Sequence, residues 1–197
     1  MRIAVFGGSF NPVHNGHIKL AAAVHEQAGY DRIVFVPAYH SPFKMLPSGA
    51  TDEDRLRMLE LALAGLEWAS VEDCEIKRRG VSYTYDTVSY LKEKYSAAGM
   101  LTGKLGLVIG ADLVGDFGKW YRSGELVEMV DVVLARRTVD GERREDFSLP
   151  FVRYELKNPY VDVSSSEVRE IVRDRSRLEA LVPESVCSYI LERRLYE

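Results

Sequence analysis

Short apolar runs alternate with longer amphipathic stretches along most of this chain, and no other feature constrains its fold as much. The apolar runs predict six strands, at residues 3–6, 32–36, 70–76, 105–109, 131–134 and 151–156. The amphipathic stretches predict six helices, at residues 16–28, 52–66, 85–98, 123–129, 166–173 and 183–195. Continuous apolar strands are typical of a parallel sheet that is covered on both faces. We therefore predict an α/β fold, Rossmann-like and doubly wound, with a mainly parallel sheet, helices on both faces and a small C-terminal helical part.

Length and composition limit the classes of protein to consider. A chain of 197 residues predicts a single domain over 1–197, with a C-terminal helical portion at about 164–197. The net charge of −4 argues against a nucleic-acid partner, since phosphate backbones attract basic surfaces. Cys74 and Cys187 lie far apart and outside any CxxC motif, which is typical of reduced cysteines in the core of a cytosolic protein.

Targeting and assembly give weaker expectations. The apolar run at residues 3–6 is too short for a signal peptide, and no run has the length of a transmembrane helix. We expect a cytoplasmic protein without a membrane partner. The sequence does not specify an oligomeric state, so a homo-oligomer stays open.

The segment GGSFNPVHNGH follows the first predicted strand, at the edge where doubly wound sheets bind ligands. Gly7 and Gly8 can adopt unusual dihedral angles and let a ligand approach the backbone. Gly16 would let a phosphate or a ribose close on the start of the next helix. His14 and His17 are three residues apart, so they would share a face in a first helical turn, whose free N–H groups attract anions. The segment therefore favours phosphate binding.

Two other interpretations of these histidines stay open at this point. They could simply cap the helix, or they could bind zinc. The spacing HxxH differs from the i, i+4 spacing of HExxH, and neither cysteine has a motif beside it, so we expect no resident metal site. The chain also contains neither GxGxxG nor GxxxxGK[ST], which disfavours the ordinary dinucleotide and P-loop folds.

Four segments together resemble a known family. They are GSFNPVHNGH, SYTYDT at residues 82–87, GAD at 110–112 followed by WY at 120–121, and VSSSEVR at 163–169. They resemble the HxGH nucleotidyltransferases, relatives of class I aminoacyl-tRNA synthetases, and among these the bacterial nicotinate-nucleotide adenylyltransferases. The resemblance implies an enzyme of NAD biosynthesis that condenses ATP with nicotinate mononucleotide to give deamido-NAD and pyrophosphate, with Mg²⁺ bound alongside ATP. The same chemistry on nicotinamide mononucleotide or phosphopantetheine stays open, as does a non-catalytic nucleotide-binding module.

The resemblance also implies roles for individual residues. The implied catalytic residues are His14, His17, Lys44 and Arg169. The implied ATP-binding residues are Gly8, Ser9, Phe10, His17, Gly110, Asp112, Ser164, Ser165 and Arg169. The implied residues for nicotinate mononucleotide are Lys44, Thr84, Trp120 and Tyr121. Each also has an ordinary structural explanation, such as a surface charge for Lys44, a helix cap for Thr84 or a core position for Trp120.

Overall fold

The structure is a computed structural model that describes residues 1–42, 49–135, 152–156 and 163–197, apart from the side chain of Asp112. The strands are β1 (Ile3–Gly8), β2 (Arg32–Pro37), β3 (Ala69–Val71), β4 (Leu105–Gly110), β5 (Val130–Ala135) and β6 (Val152–Leu156). The helices are α1 (Asn15–Ala28), α2 (Asp52–Leu63), α3 (Cys74–Arg78), α4 (Thr84–Ala97), α5 (Ser123–Met129), α6 (Ser165–Glu170), α7 (Arg175–Leu181) and α8 (Glu184–Arg193). Two 3-10 turns, Ala111–Leu113 and Phe117–Lys119, follow β4.

The strands form one parallel sheet in the order β3-β2-β1-β4-β5-β6. From β1 the chain adds strands outward to β3, and it then returns to start β4 on the other side of β1. The register pairs Ala4 of β1 with Gly106 of β4, and Val5 with Leu107. This order is that of a doubly wound sheet, with its topological switch point between β1 and β4. The predicted Rossmann-like fold class is confirmed.

Burial follows the position of each strand in the sheet. The residues Ile3 to Phe6 of β1 and Leu105 to Ile109 of β4 are buried, as expected for central strands covered on both faces. The edge strands β3 and β6 are partly exposed. Both cysteines are free and buried, and burial raises the pKa of the Cys74 thiol to about 12.

Most predicted elements exist, with ends that differ by a few residues. The helix predicted at residues 123–129 has exactly the bounds of α5. The strand predicted at 70–76 is wrong beyond its start, because β3 ends at Val71 and α3 begins at Cys74. In α3, Cys74 and Glu75 are buried, and Lys77 lies 2.9 Å from Asp73 at the i, i+4 spacing of a helix.

A second helix, α7, was also not predicted. The prediction had no element at α7, where Asp174 caps the helix by accepting a hydrogen bond of 3.2 Å from the N–H of Arg177. Residues 174–177 are mostly charged, so they show little of the apolar periodicity that predicts a helix. The sequence marks the start of this helix only through Asp174, a residue type that is favoured at the N-cap.

The contacts within the chain divide it into two compact units. The first unit comprises Met1–Phe6, Leu20–Val34 and Tyr83–Tyr160, and the second comprises Gly7–Lys19, Phe35–Ser82 and Val161–Glu197. The helices α6, α7 and α8, which fall in the C-terminal portion predicted at about 164–197, belong to the second unit. The single domain over 1–197 stays a prediction. In the described part of the chain, no helix combines the length and the apolar character needed to cross a membrane.

Candidate active site

Gly7 and Gly8 were predicted to adopt unusual dihedral angles in the turn after β1, and the structure shows a different residue in that conformation. Gly7 and Gly8 end the strand, and neither has a positive φ. The left-handed residue is instead Phe10, with φ of 45°, and its side chain is fully buried. A Cβ at Gly8 would lie 3.0 Å from Cζ of Phe10, so this glycine makes room for a protein ring. A non-glycine residue in this conformation costs about 1–3 kcal/mol and persists only where its surroundings hold it.

Phe10 connects this turn to the predicted histidines. Its ring packs edge-on against His17 at a centroid distance of 5.0 Å, and it also contacts Phe35 at 5.5 Å. Because Phe10 has no exposed area, it cannot touch ATP through its ring in this structure. Its contribution to an ATP site would be through the backbone and through the placement of His17.

The two predicted histidines form a stacked pair at the start of α1. Their ring centroids are 3.7 Å apart and the ring planes differ by 27°. The N–H of His14 donates to Nδ1 of His17 over 3.2 Å, so a neutral His17 ring carries its proton on Nε2. His14 is 3% exposed and His17 is half-buried. The prediction that His14 and His17 lie side by side is confirmed.

The helix-capping interpretation of the histidines is therefore correct in part. Nδ1 of His17 accepts from the backbone N–H that precedes α1, as the third residue of a helix does in a capping box. In this tautomer the hydrogen of a neutral His17 ring is on Nε2. Among the described residues, no group of three or more His, Cys, Asp or Glu side chains is arranged to bind a metal ion.

Gly16 has a role that the sequence did not indicate. A Cβ at this position would lie 2.9 Å from Cγ1 of Val163 and 3.0 Å from Nδ1 of His14. The space predicted for a phosphate or a ribose is thus taken by two side chains of the protein. Gly16 lets the His14 ring and Val163 close on the first turn of α1.

The serine-rich turn and Arg169 pack onto the loop that precedes the histidines. Ser164 caps α6 by accepting from the N–H of Glu167 over 3.1 Å, as predicted for a serine at a helix start. Ser165 donates its hydroxyl to the carbonyl of Pro12 over 2.9 Å. Arg169 donates to the carbonyl of Asn11 over 2.7 Å. The structure thus brings Ser165 and Arg169 to the histidine segment within the second unit.

Two residues outside this loop support it and were not predicted. Arg55, which is 1% exposed, donates to the carbonyl of Ser9 over 2.7 Å and pairs with Asp52 at 2.6 Å. The hydroxyl of Tyr196 donates to Oδ1 of Asn11 over 2.6 Å. Arg55 has a signal in the sequence, since it lies on the face of α2 that also carries the buried Met58 and Leu59, whereas nothing marks Tyr196. Asn11 lies within the segment GGSFNPVHNGH, but no role was predicted for it.

The predicted ring-binding residues lie in the first unit. Thr84 is the first residue of α4, and the helix cap is Tyr83, so Thr84 is not the cap. The ring of Tyr121 lies 4.7 Å from that of Tyr83 and 6.0 Å from that of Tyr85, so both neighbours of Thr84 contact it. Tyr121 is 48% exposed.

The other aromatic candidate is less accessible. Trp120 is half-buried, and its ring lies 5.0 Å from that of Phe117. Arg122, which was not predicted, has φ of 54°, lies over the ring of Tyr85 at 4.0 Å and forms an ion pair with Glu125. The first unit thus holds a cluster of Tyr83, Tyr85, Tyr121 and Arg122, which we call the tyrosine cluster.

The structure describes the remaining predicted site residues, Gly110, Asp112 and Lys44, only in part. Gly110 ends β4, and Asp112 lies in the 3-10 turn directly after it, at the predicted edge of the sheet. The side chain of Asp112 falls outside the part of the chain that the structure describes. Lys44 also lies outside the described residues, so its predicted role is untested.

Comparison with known proteins identifies the family. A family model described as cytidylyltransferase-like matches residues 5–171. A Treponema pallidum protein, described as a probable nicotinate-nucleotide adenylyltransferase, is 42% identical over 204 residues, which cover 100% of this chain and 99% of that protein. The chain belongs to the nicotinate-nucleotide adenylyltransferase family. A Streptococcus mutans member of this family is 36% identical over 196 residues, covering 100% of this chain and 89% of its own length.

Solved structures of adenylyltransferases agree with the fold. A Plasmodium falciparum nicotinic acid mononucleotide adenylyltransferase complexed with NaAD has a TM-score of 0.77, with 18% identity over 99% of this chain and 97% of that chain. The same Plasmodium enzyme complexed with APC has a TM-score of 0.76. At this identity the likeness shows the shared fold.

Proposed function

We propose that this protein transfers the adenylyl group of ATP to the 5′-phosphate of nicotinate mononucleotide, giving deamido-NAD and pyrophosphate. The observation that carries the proposal is the stacked pair of His14 and His17, in which one nitrogen of His17 is occupied by the helix start and the other is a donor. Family membership supplies the reaction class, and the described side chains suggest how each part of the reaction is assisted.

The acceptor needs no general base. A phosphate monoester has a second pKa near 6, so its oxygen is already anionic at neutral pH. This oxygen attacks the α-phosphorus of ATP in line. One P–O bond forms to the acceptor, the bond to the β-phosphate breaks, and pyrophosphate leaves with the electron pair. Catalysis then depends on positioning and on stabilisation of charge.

The histidine pair would stabilise the charge on the α-phosphate. In our proposal, Nε2–H of His17 donates to a non-bridging oxygen of that phosphate, where charge increases in the transition state. His14 fixes the ring of His17 through the backbone hydrogen bond and the stacking contact. Ring orientation set by a bond at the other nitrogen is a common device for functional histidines.

The leaving pyrophosphate would be neutralised by Arg169, Ser165, Lys44 and the Mg²⁺ that enters with ATP. The guanidinium of Arg169 has five N–H groups, and its hydrogen bonds to Asn11 and Ser166 use two of them. The same side chain can therefore be anchored to the protein and still donate to phosphate oxygens. Gly8, Ser9, Ser164, Gly110 and Asp112 would contribute to the rest of the ATP site.

The tyrosine cluster, with Thr84 and Trp120, would bind the pyridine ring of the mononucleotide. Tyr121 combines an exposed ring with contacts to Tyr83 and Tyr85 that hold its plane in place. A flat, partly exposed aromatic ring suits stacking on another ring. The preference for the acid over the amide is part of the proposal, and so is a cytoplasmic location without nucleic-acid or membrane partners.

The experiment that tests this function uses purified protein, ATP and Mg²⁺ with one acceptor at a time. Pyrophosphate release and the mass of the product are measured for nicotinate mononucleotide, nicotinamide mononucleotide and phosphopantetheine. We expect the highest kcat/KM with nicotinate mononucleotide, and deamido-NAD as the product. A higher value with another acceptor would reassign the substrate, and ATP binding without pyrophosphate release for any acceptor would support a binding module instead.

A further inference from the structure

A residue far along the chain contacts the turn that precedes the histidine pair. Tyr196 follows α8, and its hydroxyl donates to Oδ1 of Asn11 over 2.6 Å within the second unit. Asn11 is 1% exposed and Tyr196 is half-buried, so this bond is partly shielded from water. Burial raises the pKa of the Tyr196 phenol despite the nearby charges of Arg169 and Arg55, and the neutral hydroxyl is a donor at physiological pH.

The placement of Tyr196 is built into the surrounding structure. Its backbone has φ of 68°, a conformation that costs a non-glycine residue free energy. Its N–H donates to the carbonyl of Gly49 over 3.4 Å, and a Cβ on Gly49 would lie 2.9 Å from Cδ1 of the Tyr196 ring. A strained residue packed against a glycine that leaves room for it indicates that this position of the ring is specifically maintained.

Asn11 connects Tyr196 to the proposed site on two sides. Its carbonyl accepts from Arg169 over 2.7 Å, while its side chain accepts from Tyr196. It also follows the left-handed Phe10, whose ring contacts His17 at 5.0 Å. If Asn11 shifts, Arg169 loses its anchor and Phe10 can relax toward an unstrained φ, which would move the ring of His17.

We infer that Tyr196 is a positioning residue for adenylyl transfer, and that it acts through Asn11 on Arg169 and His17. The inference rests on the proposed function, because it assigns Tyr196 to the same site. Tyr196 itself touches neither histidine in the contacts described above. Its effect should therefore appear as slower turnover in protein that is correctly folded.

Tyr196→Phe is the main test, with Tyr189→Phe as a matched control. Tyr189 lies in α8 and donates its hydroxyl to Asp54 over 2.8 Å, so the control removes one phenol hydrogen bond in the same unit and leaves Asn11 untouched. Losing one partly buried hydrogen bond should lower kcat about five- to tenfold in Y196F, with the KM for nicotinate mononucleotide within about twofold of wild type. The control should keep its kcat. Equal kcat in wild type and Y196F would overturn the inference.

A double-mutant cycle tests the route through Asn11. Asn11→Ala removes the acceptor while Tyr196 keeps its packing on Gly49, and it should reproduce the loss of kcat. In the N11A background, Y196F should cause no further loss, because the bond is already absent. A further loss as large as in wild type would mean that Tyr196 acts by another route and would overturn the inference.

ATP affinity, measured by calorimetry on the same variants, separates this inference from the proposed function. We expect Y196F and N11A to weaken ATP binding about two- to threefold, and Y189F to leave it unchanged. If wild type binds ATP but no acceptor gives turnover, the proposed function fails, and the affinity series still decides the role of Tyr196. Unchanged affinity in both variants would then overturn the inference.

Discussion

The rings of His14 and His17 stack with centroids 3.7 Å apart, and the backbone N–H of the first donates to Nδ1 of the second. A neutral His17 ring therefore has one defined tautomer, with its hydrogen on Nε2. The same contact satisfies a backbone N–H at the start of α1. A structural role and the proposed phosphate-binding role are thus combined in one imidazole.

Replacing His17 by Ala should lower kcat by about 100-fold or more, because it removes a donor to the charge that develops at the α-phosphate. ATP binding, measured by calorimetry, should weaken much less than turnover. His25→Ala is a control in the same helix, since His25 contacts the carbonyl of Tyr30 in the first unit. Normal turnover of the H17A variant would exclude this histidine from the reaction.

Gly16→Ala tests the close packing at the start of α1. The added Cβ would meet Val163 at 2.9 Å and His14 at 3.0 Å, and we expect a loss of about 1–3 kcal/mol in the free energy of unfolding together with lower kcat. Gly124→Ala is the control, because nothing lies within 4 Å of its added Cβ in α5. Urea unfolding and steady-state kinetics measure both effects. A stable G16A variant with normal turnover would show that the His14 ring is not held in this way.

Arg55→Met removes a buried guanidinium that binds Ser9 and Asp52. The carbonyl of Ser9 loses its donor, so we expect the free energy of unfolding to fall by about 1–3 kcal/mol and kcat to fall with it. Arg57→Met is the control in the same helix, because its ion pair with Glu60 is exposed. That variant should stay within about 0.5 kcal/mol of wild type in urea unfolding. Equal effects of the two substitutions would contradict a special role of Arg55.

The capping box of α2 makes stability depend on pH. Burial raises the pKa of the Asp54 carboxyl, but hydrogen bonds from the N–H of Thr51, the hydroxyl of Tyr189 and the hydroxyl of Thr51, together with the charge of Arg193, hold its pKa below the ordinary 3.8. A lowered folded-state pKa means that the stabilisation is complete above the unfolded-state pKa and is lost as pH falls through the folded-state pKa.

Asp54→Asn should therefore destabilise the protein at pH 7, and the difference from wild type should shrink as the pH falls from about 5 to below about 3. Urea unfolding of wild type and of D54N across this pH range measures the difference in their free energies of unfolding. The opposite trend, a difference that grows in acid, would show that the folded state raises this pKa.

Tyr121→Ala tests the proposed ring site. Loss of a stacking surface should raise the KM for nicotinate mononucleotide about tenfold and leave the KM for ATP nearly unchanged. Tyr90→Ala is the control, because Tyr90 is also exposed but lies on α4 outside the tyrosine cluster. If both substitutions changed the KM for nicotinate mononucleotide equally, or if neither changed it, the pyridine ring would have to bind elsewhere.

The sheet could be predicted because its strands are continuous apolar runs. The central strands β1 and β4 were found to within two residues, since burial on both faces requires apolar residues throughout. Residues 74–76 were wrongly assigned to a strand, because the apolar pattern does not distinguish them from a short helix and the ion pair between Asp73 and Lys77 does not change that pattern.

Within the site, the sequence was a better guide to which segments come together than to the role of each residue in them. His14, His17, Ser165 and Arg169 were chosen by pattern, and the structure brings them to one loop. Gly16 was interpreted as space for a ligand because a missing side chain leaves no sign of what fills the space. Tyr196 could not be predicted, because its contact with residue 11 depends on the path of the whole second unit.

The central claim is adenylyl transfer to the mononucleotide, and the fate of labelled ATP tests it most directly. Wild-type protein is incubated with Mg²⁺, nicotinate mononucleotide and ATP that is labelled on either the α-phosphate or the γ-phosphate, and the products are separated. The account predicts that the α-label appears in the dinucleotide and the γ-label in pyrophosphate. The account would be contradicted if the label of the γ-phosphate were transferred to the mononucleotide. It would also be contradicted if no label were transferred at all.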